Sequence, residues 1–343
     1  MEIDSGPPRD PRSPRELQVE VTGACNLRCR MCLVRYRPPL NRAEGSLSFA
    51  IFQRLIDTLP GLERVTLQGL GEPLLAPDLV AMIEYAAARG IRTGFNTNAT
   101  LLTRERAERL IRAGLGWLHI SLDGATPETY ESIRDGASFA EVCANVRGLV
   151  DVRRALGAAH PDLCLVFVAM RRNVHELPAL VRLAAGWDIP SLRVQNLSHS
   201  FSDTGASPGY AAIERFTAGQ ALWQSAGDAG DRRARAAFEQ ARVVAAELGV
   251  ALRLPALEEP AAPRRLGTPG CDWPWRSAYV THRGKIQPCC MLMGEDRAVL
   301  GDLGASDFGS IWRGEAYRAF RAGLCSSDPP DVCRGCSMYR GVF

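Results

Sequence analysis

The sequence predicts an α/β fold, a partial (β/α)6 TIM-like barrel that carries a small cysteine-rich module at its C-terminal end. Two observations support this prediction. Between residues 17 and 196, short apolar runs typical of strands alternate with amphipathic stretches typical of helices, which predicts a parallel sheet. The alternation yields six strand–helix units, too few to close an eight-stranded barrel, so we expect a curved, open sheet.

The elements of the barrel follow one another in a regular order. Six strands are predicted at residues 17–22, 64–68, 91–96, 117–121, 163–170 and 192–196. Helices are predicted between them at residues 49–59, 77–89, 104–113, 139–156 and 177–185. Ser48 and Thr103 stand directly before two of these helices, where a hydroxyl side chain caps the first turn. Gly90 and Gly114 are expected to end two of them.

The alternation stops after residue 196. A polar loop at 198–209 is followed by a mostly helical stretch at 211–249 and a seventh strand candidate at 250–254. Four prolines between residues 255 and 269 predict a linker. We therefore divide the chain into five parts. They are an N-terminal extension (1–16), the barrel (17–197), its loop and helical continuation (198–254), the linker (255–269) and the cysteine-rich module (270–343).

Composition and charge describe an ordinary globular protein, with 46% hydrophobic and 23% charged residues. The 41 basic and 38 acidic residues leave a net charge of +3, so no nucleic-acid partner is expected. The sequence has neither a transmembrane-length apolar run nor a signal peptide, which predicts a cytoplasmic location without a membrane partner. In that reducing compartment, eleven cysteines favour metal or cluster ligation over disulfides.

Three of the cysteines, Cys25, Cys29 and Cys32, directly follow the first predicted strand. Three thiolates on one compact loop suit three corners of a [4Fe–4S] cluster. A fourth iron without a protein ligand is open to another molecule. A zinc site that lacks one ligand and three reduced thiols are the alternatives.

This cysteine motif resembles the signature of the radical S-adenosylmethionine (SAM) superfamily, in which it follows the first strand of a partial (β/α)6 barrel. Four further motifs end successive strands in the order typical of the family. They are Gly71-Glu72-Pro73, Thr97-Asn98-Ala99-Thr100, Ser121-Leu122-Asp123-Gly124 and Met170-Arg171-Arg172-Asn173. One departure is Met31, since the residue before the third cysteine is often aromatic in the family and contacts adenine.

The resemblance implies an enzyme that binds a [4Fe–4S] cluster and SAM. The open iron chelates SAM, and one-electron reduction cleaves it to a 5′-deoxyadenosyl radical that abstracts hydrogen from a substrate C–H bond. The electron would come from a flavodoxin- or ferredoxin-type donor. The cluster ligands would be Cys25, Cys29 and Cys32. The contacts to SAM would come from Met31, Gly71, Glu72, Pro73, Asn98, Ser121, Asp123 and Arg171.

Several of these residues have simpler interpretations. Glu72 could be a surface carboxylate before a proline turn. Asn98 could be a turn residue in the left-handed conformation, and Asp123 a turn former before a glycine. Glu72 and Asn98 each follow the end of a predicted strand, and both come after the cysteine motif in the sequence. This order favours the SAM-binding role for these two residues.

The C-terminal cysteines resemble the opening of a SPASM domain, because Gly284 lies between Cys271 and Cys289 at the family's spacing to the second cysteine. A full SPASM domain holds two auxiliary clusters, but here Cys333 and Cys336 are followed by no further cysteine. We therefore expect a shortened twitch domain with one auxiliary [4Fe–4S] cluster, similar to that of the aminocyclitol dehydrogenase of butirosin biosynthesis.

The resemblance implies four ligands for this second cluster: Cys271, Cys289, Cys333 and Cys336. A zinc ribbon with four cysteine ligands is the alternative, because two cysteines separated by two residues are also a zinc spacing. Cys290 could replace its neighbour in the ligand set. The roles of Cys290 and Cys325 are left open.

Three reactions are compatible with the resemblance. The first is oxidation of a small hydroxylated substrate, such as a sugar or aminocyclitol-like natural-product intermediate, with the second cluster accepting an electron. The second is modification of a ribosomally made peptide, and the third is radical epimerisation of a sugar. The polar loop after the sixth strand is expected to face the substrate, with His199 as a candidate base.

Overall fold

One curved sheet organises the computed structural model, which describes residues 13–36, 45–197, 200–205, 207–222, 229–257, 271–292 and 294–340. The six predicted barrel strands form as β1–β6, and the seventh candidate forms as β7. Three further strands belong to the C-terminal module. In chain order the strands are β1 (Glu16–Val19), β2 (Arg64–Thr66), β3 (Arg92–Thr97), β4 (Trp117–Ser121), β5 (Asp162–Ala169), β6 (Ser191–Asn196), β7 (Ala251–Arg253), β8 (Ser277–Val280), β9 (Lys285–Gln287) and β10 (Gly301–Asp302).

Helices cover the sheet and connect its strands. In chain order they are α1 (Leu33–Tyr36), α2 (Phe49–Asp57), α3 (Leu79–Ala87), α4 (Arg104–Arg112), α5 (Pro127–Ile133), α6 (Phe139–Ala155), α7 (Leu177–Gly186), α8 (Pro208–Gln220), α9 (Ala229–Leu248), α10 (Trp273–Arg276), α11 (Phe308–Trp312), α12 (Glu315–Cys325), α13 (Asp331–Arg334) and α14 (Ser337–Arg340). All five predicted barrel helices are present, as α2, α3, α4, α6 and α7. No helix in the described residues is both long and apolar enough to cross a membrane.

The predicted helix ends are confirmed in four places. Ser48 Oγ accepts the N–H of the third residue of α2, and Thr103 Oγ1 caps α4 in the same way. Gly90 and Gly114 adopt φ angles of +72° and +87°, in the left-handed region that favours glycine. Both reverse the chain between a helix and the following strand.

The strand order within the described residues is β10-β9-β8-β1-β2-β3-β4-β5-β6-β7. The barrel strands β1–β7 pair in parallel with their neighbours, as the strand–helix alternation predicted. In addition, β8 of the C-terminal module pairs in parallel with β1, and β9 and β10 extend this edge with antiparallel pairs. The module therefore continues the barrel sheet.

The module also shares the apolar core of the barrel. Ala278 and Val280 of β8 are fully buried in the same cluster as Leu17 and Val19 of β1, and Trp312 of α11 completes it from the module's side. This explains how so short a segment can fold without a large core of its own, because the barrel provides the other half of the packed surface.

Candidate functional site

The N-terminal cysteine loop follows β1 and is fixed to the end of α5. Two backbone hydrogen bonds of 3.1 and 2.9 Å join Arg28 and Arg30 of the loop to the chain at and just after that helix end. None of the three loop cysteines forms a disulfide. Burial raises the pKa of Cys25 to about 11 and that of Cys29 to about 12, and the charge of nearby Cys32 adds to both shifts.

These raised pKa values show that thiolates on this loop need compensating positive charge. Iron ions of a cluster would supply that charge, because metal binding requires and stabilises the deprotonated thiol. Three cysteines on a single loop match three protein ligands of a [4Fe–4S] cluster.

Glu72 is buried and ties three segments together. Its carboxylate accepts hydrogen bonds from Thr97 Oγ1 at 2.7 Å, from Asn98 N–H at 2.8 Å and from Leu74 N–H at 3.2 Å. Its own N–H donates to Ala24 O at 2.8 Å, one residue before the first loop cysteine. Glu72 is therefore not a surface carboxylate, and that simpler interpretation is wrong.

Burial raises the pKa of Glu72 although these three hydrogen bonds oppose the shift. No ion-pair partner lies within 4 Å of its carboxylate in the described part of the chain. An ammonium group that entered the site would supply the missing charge. The donor set at Glu72 thus fits the amino group of a SAM molecule.

Asn98 braces the cysteine loop directly. Its Nδ2 donates to Asn26 Oδ1 at 3.0 Å, and Asn26 is the residue after Cys25. Its Oδ1 accepts the N–H and the hydroxyl of Thr100, at 3.0 and 2.7 Å. The left-handed residue of this turn is Ala99, with φ of +59°, rather than Asn98. The third-strand motif therefore holds the cysteine loop in place through side chains.

Gly71 lies where the second-strand motif crosses the cysteine loop. A Cβ atom at Gly71 would lie 2.2 Å from Thr22 O and 2.6 Å from Ala24 O, closer than real Cβ contacts come. The structure thus gives a local reason for this glycine, which is the close approach of the chain at Thr22 and Ala24. Pro73 begins a 3-10 turn directly after this crossing, in which Pro73 and Leu74 are buried.

Asp123 follows β4 and forms a buried ion pair with Arg134 after α5. Its Oδ2 accepts from Arg134 Nη2 at 2.6 Å and from Nε at 2.8 Å, and its Oδ1 accepts Val168 N–H at 2.8 Å. The side chain of Asp123 is 0% exposed and that of Arg134 only 9%. Asp123 thus anchors a guanidinium whose charge also lowers the pKa of Cys29. Its predicted contact with SAM stays a prediction.

The remaining predicted SAM contacts lie around the same end of the barrel. Met31 is buried in an apolar wall beside the cysteine loop. Ser121 is the last residue of β4 and is half-buried. Arg171 follows β5, and its backbone and its Nε bond carbonyls at the C-terminal end of α8. His199 lies outside the described residues.

Three residues at this end have no role predicted from the sequence, although Asn173 belongs to the motif after the fifth strand. Arg134 directly follows α5, a helix that the strand–helix alternation did not predict, and its charge acts on Cys29 of the loop. Asn173 is fully buried and donates from Nδ2 to Asp123 O and Val168 O, both at 3.0 Å. Glu176 binds the N-terminal turn of α5 through Ala125 N–H at 2.6 Å. For these three residues, the sequence offered one signal, which is the position of Asn173 just after the predicted fifth strand.

Five cysteines of the C-terminal module lie on three separate segments of the chain. Cys271 precedes α10, Cys289 and Cys290 follow β9, and Cys333 and Cys336 lie in and after α13. Burial raises the pKa of Cys333 and that of Cys290 to about 12, and Cys336 and Cys271 add to both shifts. The charges of these thiols therefore act on one another, and Cys290 takes part as Cys289 does. The choice of Cys271, Cys289, Cys333 and Cys336 as the ligands stays a prediction.

Cys325 differs from these five cysteines. Burial alone raises its pKa, without a contribution from another thiol. It packs at the edge of a small apolar cluster that contains Trp275 and Leu324. Among the described residues, no three Cys, His, Asp or Glu side chains lie close enough to hold a single metal ion.

A buried pair links the barrel to the module. Glu20, directly after β1, accepts from His282 Nδ1 at 2.8 Å through Oε2, and from Leu70 N–H at 2.9 Å through Oε1. Burial alone would raise the pKa of Glu20, but the hydrogen bonds from His282 and Leu70 outweigh it and hold the pKa below its usual value. The loop before Gly71 is thus connected to the module that carries the auxiliary cysteines.

The polar loop after β6 is also bound to the module. Asp203 and Arg297 form a buried ion pair, with Arg297 Nε donating to Asp203 Oδ2 at 2.9 Å. Tyr210 Oη, at the start of α8, donates to Asp296 Oδ1 at 2.9 Å. The described part of this loop therefore connects the carboxyl ends of the barrel strands to the auxiliary site.

Two family models match the chain. The model of the radical SAM superfamily matches residues 19–181, and the model of an iron–sulfur cluster-binding domain, SPASM, matches residues 271–337. The chain belongs to the radical SAM superfamily. Within it, the chain is a SPASM-domain radical SAM enzyme, which implies SAM, its [4Fe–4S] cluster and auxiliary iron–sulfur ligation.

Curated relatives fall into two groups by coverage. The tungsten-containing aldehyde ferredoxin oxidoreductase cofactor-modifying protein of Pyrococcus furiosus is 30% identical over 53% of this chain and 51% of its own. The mycofactocin maturase MftC of Mycobacterium tuberculosis is 34% identical over 54% of this chain and 45% of its own. The chain therefore spans about half the length of these relatives. The AdoMet-dependent heme synthase of Nitratidesulfovibrio vulgaris is 27% identical over 92% of this chain and 85% of its own.

Solved structures share the fold. SuiB of Streptococcus suis bound to S-adenosylmethionine matches with a TM-score of 0.68 and 17% identity, over 96% of this chain and 72% of its own. The AdoMet-bound enzyme anSMEcpe matches with a TM-score of 0.58 and 16% identity, over 96% of this chain and 88% of its own. At sequence identities of 16–17%, these matches show a shared fold alone.

Proposed function

We propose that this protein cleaves SAM reductively at the N-terminal cysteine loop and uses the resulting radical to remove hydrogen from a substrate C–H bond. One observation carries the proposal. The loop with Cys25, Cys29 and Cys32 is tied to Glu72 through Ala24 and to Asn98 through Asn26. The residues proposed to bind the cluster and those proposed to bind SAM are thus joined by hydrogen bonds.

Each group in this structure has a specific task. The three thiolates hold the cluster and leave one iron for SAM. The Glu72 carboxylate accepts the SAM ammonium, because it is buried and lacks an ion-pair partner in the described residues. Arg134 places a positive charge near Cys29, which favours its thiolate form. When bound, the cluster and SAM supply the electron transfer and the radical that start the reaction.

We propose that the auxiliary site holds one [4Fe–4S] cluster on Cys271, Cys289, Cys333 and Cys336. Four protein ligands would leave no iron of this cluster open to substrate. The cluster would then supply structural support or a one-electron acceptor, which a two-electron oxidation of the substrate would need after loss of a hydrogen atom and a proton. The external reductant would be a flavodoxin- or ferredoxin-type protein.

For the substrate we propose a small molecule. The support is the match to the heme synthase, which covers most of both chains. A hydroxylated sugar or aminocyclitol stays a prediction within this class. A peptide substrate is the second candidate, because the identities to mycofactocin maturase and to PqqA peptide cyclase are higher, 34% and 31%, although over about half of the chain.

The proposal is tested with anaerobically reconstituted protein. We expect about eight irons and formation of 5′-deoxyadenosine from SAM under dithionite. Replacing Cys25, Cys29 and Cys32 together by alanine should leave about four irons and abolish cleavage. The matched control is Cys143→Ala with Cys164→Ala, which should keep both. Cleavage by the triple variant would refute the assignment of the site.

A further inference from the structure

A cavity of about 300 Å³ lies at the end of the barrel opposite the cysteine loop. The first residues of β2–β7 line it, whereas the cysteine loop and the SAM motifs follow the other ends of the strands. Four arginines contribute to the lining: Arg64, Arg92, Arg193 and Arg253. In barrels of this kind, side chains at this end usually serve stability. A cluster of arginines there is unusual because like charges repel.

The positive charge of the cavity is largely uncompensated. Arg92 forms an ion pair with Asp162. No carboxylate lies within ion-pair distance of Arg64, Arg193 or Arg253 in the ranges that the structure describes. Burial lowers the pKa of Arg64. The charge of Glu16 opposes this shift, whereas the charges of Arg92 and Arg193 add to it.

His119 on the cavity wall experiences the same positive field. Burial lowers its pKa to about 4, and Arg193 and Arg64 contribute to the shift. The ring is therefore neutral at pH 7. Its Nδ1 lies 3.1 Å from Asn96 Oδ1, which fixes the ring within the barrel. The neutral imidazole of His119 therefore contributes a polar group to the cavity wall but does not offset the positive charge of the arginines.

The guanidinium of Arg64 is held in a fixed orientation in the cavity. The guanidinium of Arg64 stacks on the ring of Trp117 at 3.9 Å, which fixes the plane of its N–H donors. Planar guanidinium groups bind phosphate and carboxylate through paired N–H donors. The volume is at the small end of ligand pockets, which suits a compact anion.

We propose that this cavity is a binding site for a compact multivalent anion, a phosphate or polycarboxylate, held by Arg64, Arg193 and Arg253. Arg193 lies three residues before the end of β6, so the bound anion would be about 10 Å from the end of the strand where the SAM motifs lie. The anion would therefore be a ligand separate from the reacting groups. Its binding would relieve the repulsion among the arginines and stabilise the barrel.

The test compares anion binding by full-length reconstituted protein and by the double variant Arg193→Gln with Arg253→Gln. Inorganic phosphate, pyrophosphate and citrate are titrated by calorimetry, and melting temperatures are measured against sodium chloride at equal ionic strength. We expect at least one of these anions to bind the wild type with a dissociation constant below about 1 mM, and the double variant about tenfold more weakly. Phosphate and citrate distinguish the two ligand chemistries. The matched control is Arg54→Gln on the exposed face of α2.

Iron content and SAM cleavage should be unchanged in the double variant, which separates this proposal from the proposed function. Equal affinities in the double variant and the wild type would overturn the proposal, and so would stabilisation that sodium chloride matches. If the double variant fails to fold, Arg193→Lys retains the charge but loses the planar donor pair. This single variant should bind the anion several-fold more weakly, and unchanged binding would count against the site.

Discussion

The buried ion pair between Asp123 and Arg134 predicts a large loss of stability when one partner is removed. Arg134→Met would leave the fully buried Asp123 carboxylate with the hydrogen bond from Val168 N–H but without its two guanidinium contacts of 2.6 and 2.8 Å. An unpaired buried charge of this kind costs about 3–5 kcal/mol. Asp123→Asn combined with Arg134→Met should lose less than the sum of the two single variants, because the double variant contains no buried charge.

Urea unfolding of the reconstituted protein, followed by tryptophan fluorescence, measures these free energies. The matched control is Arg112→Met, which removes an exposed ion pair with Glu108 on α4 and should change stability little. A loss for Arg134→Met no greater than that of the control would refute the reasoning, as would strictly additive single variants. Because Arg134 also lowers the pKa of Cys29, we expect slower cluster reconstitution in Arg134→Met at neutral pH.

Three further predictions concern the connections of the site. Gly71→Ala should lower the free energy of unfolding by about 1–3 kcal/mol, because its Cβ would lie 2.2 Å from a backbone oxygen of the cysteine loop, whereas Gly186→Ala has open space and should not. Cys289→Ser should lose the auxiliary irons in metal analysis and Cys290→Ser should keep them; the reverse would make Cys290 the ligand. Glu20 stabilises the fold above its usual pKa of 4.5, and that stability is lost as the pH falls through its lowered pKa. Melting temperatures of Glu20→Gln should lack this acid dependence.

Much of the barrel could be predicted from local sequence. Alternating apolar and amphipathic stretches predicted β1–β6 and five of their helices, because each strand and helix buries one face in a regular pattern. Ser48 and Thr103 marked helix starts through a hydroxyl that caps nearby N–H groups. Cysteine spacing marked the N-terminal loop, where Cys25, Cys29 and Cys32 lie within eight residues, and the paired Cys333 and Cys336 of the module. Such patterns involve residues that are only a few positions apart, so they can be recognised from the sequence alone.

The connections between distant segments were decided by the tertiary structure. The pairing of β8 with β1 joins residues more than 250 positions apart, and so does the bond between Glu20 and His282. The arginines that line the cavity opposite the cysteine loop come from four different strands. In the sequence, each of them therefore looks like an ordinary polar residue of a strand. Parallel strands bring their corresponding ends together regardless of their separation in the chain. The sequence by itself determined the barrel strands and five of the helices between them, and it marked the cysteine motifs. Folding determined which polar and charged side chains meet, because those contacts form only when the sheet is assembled.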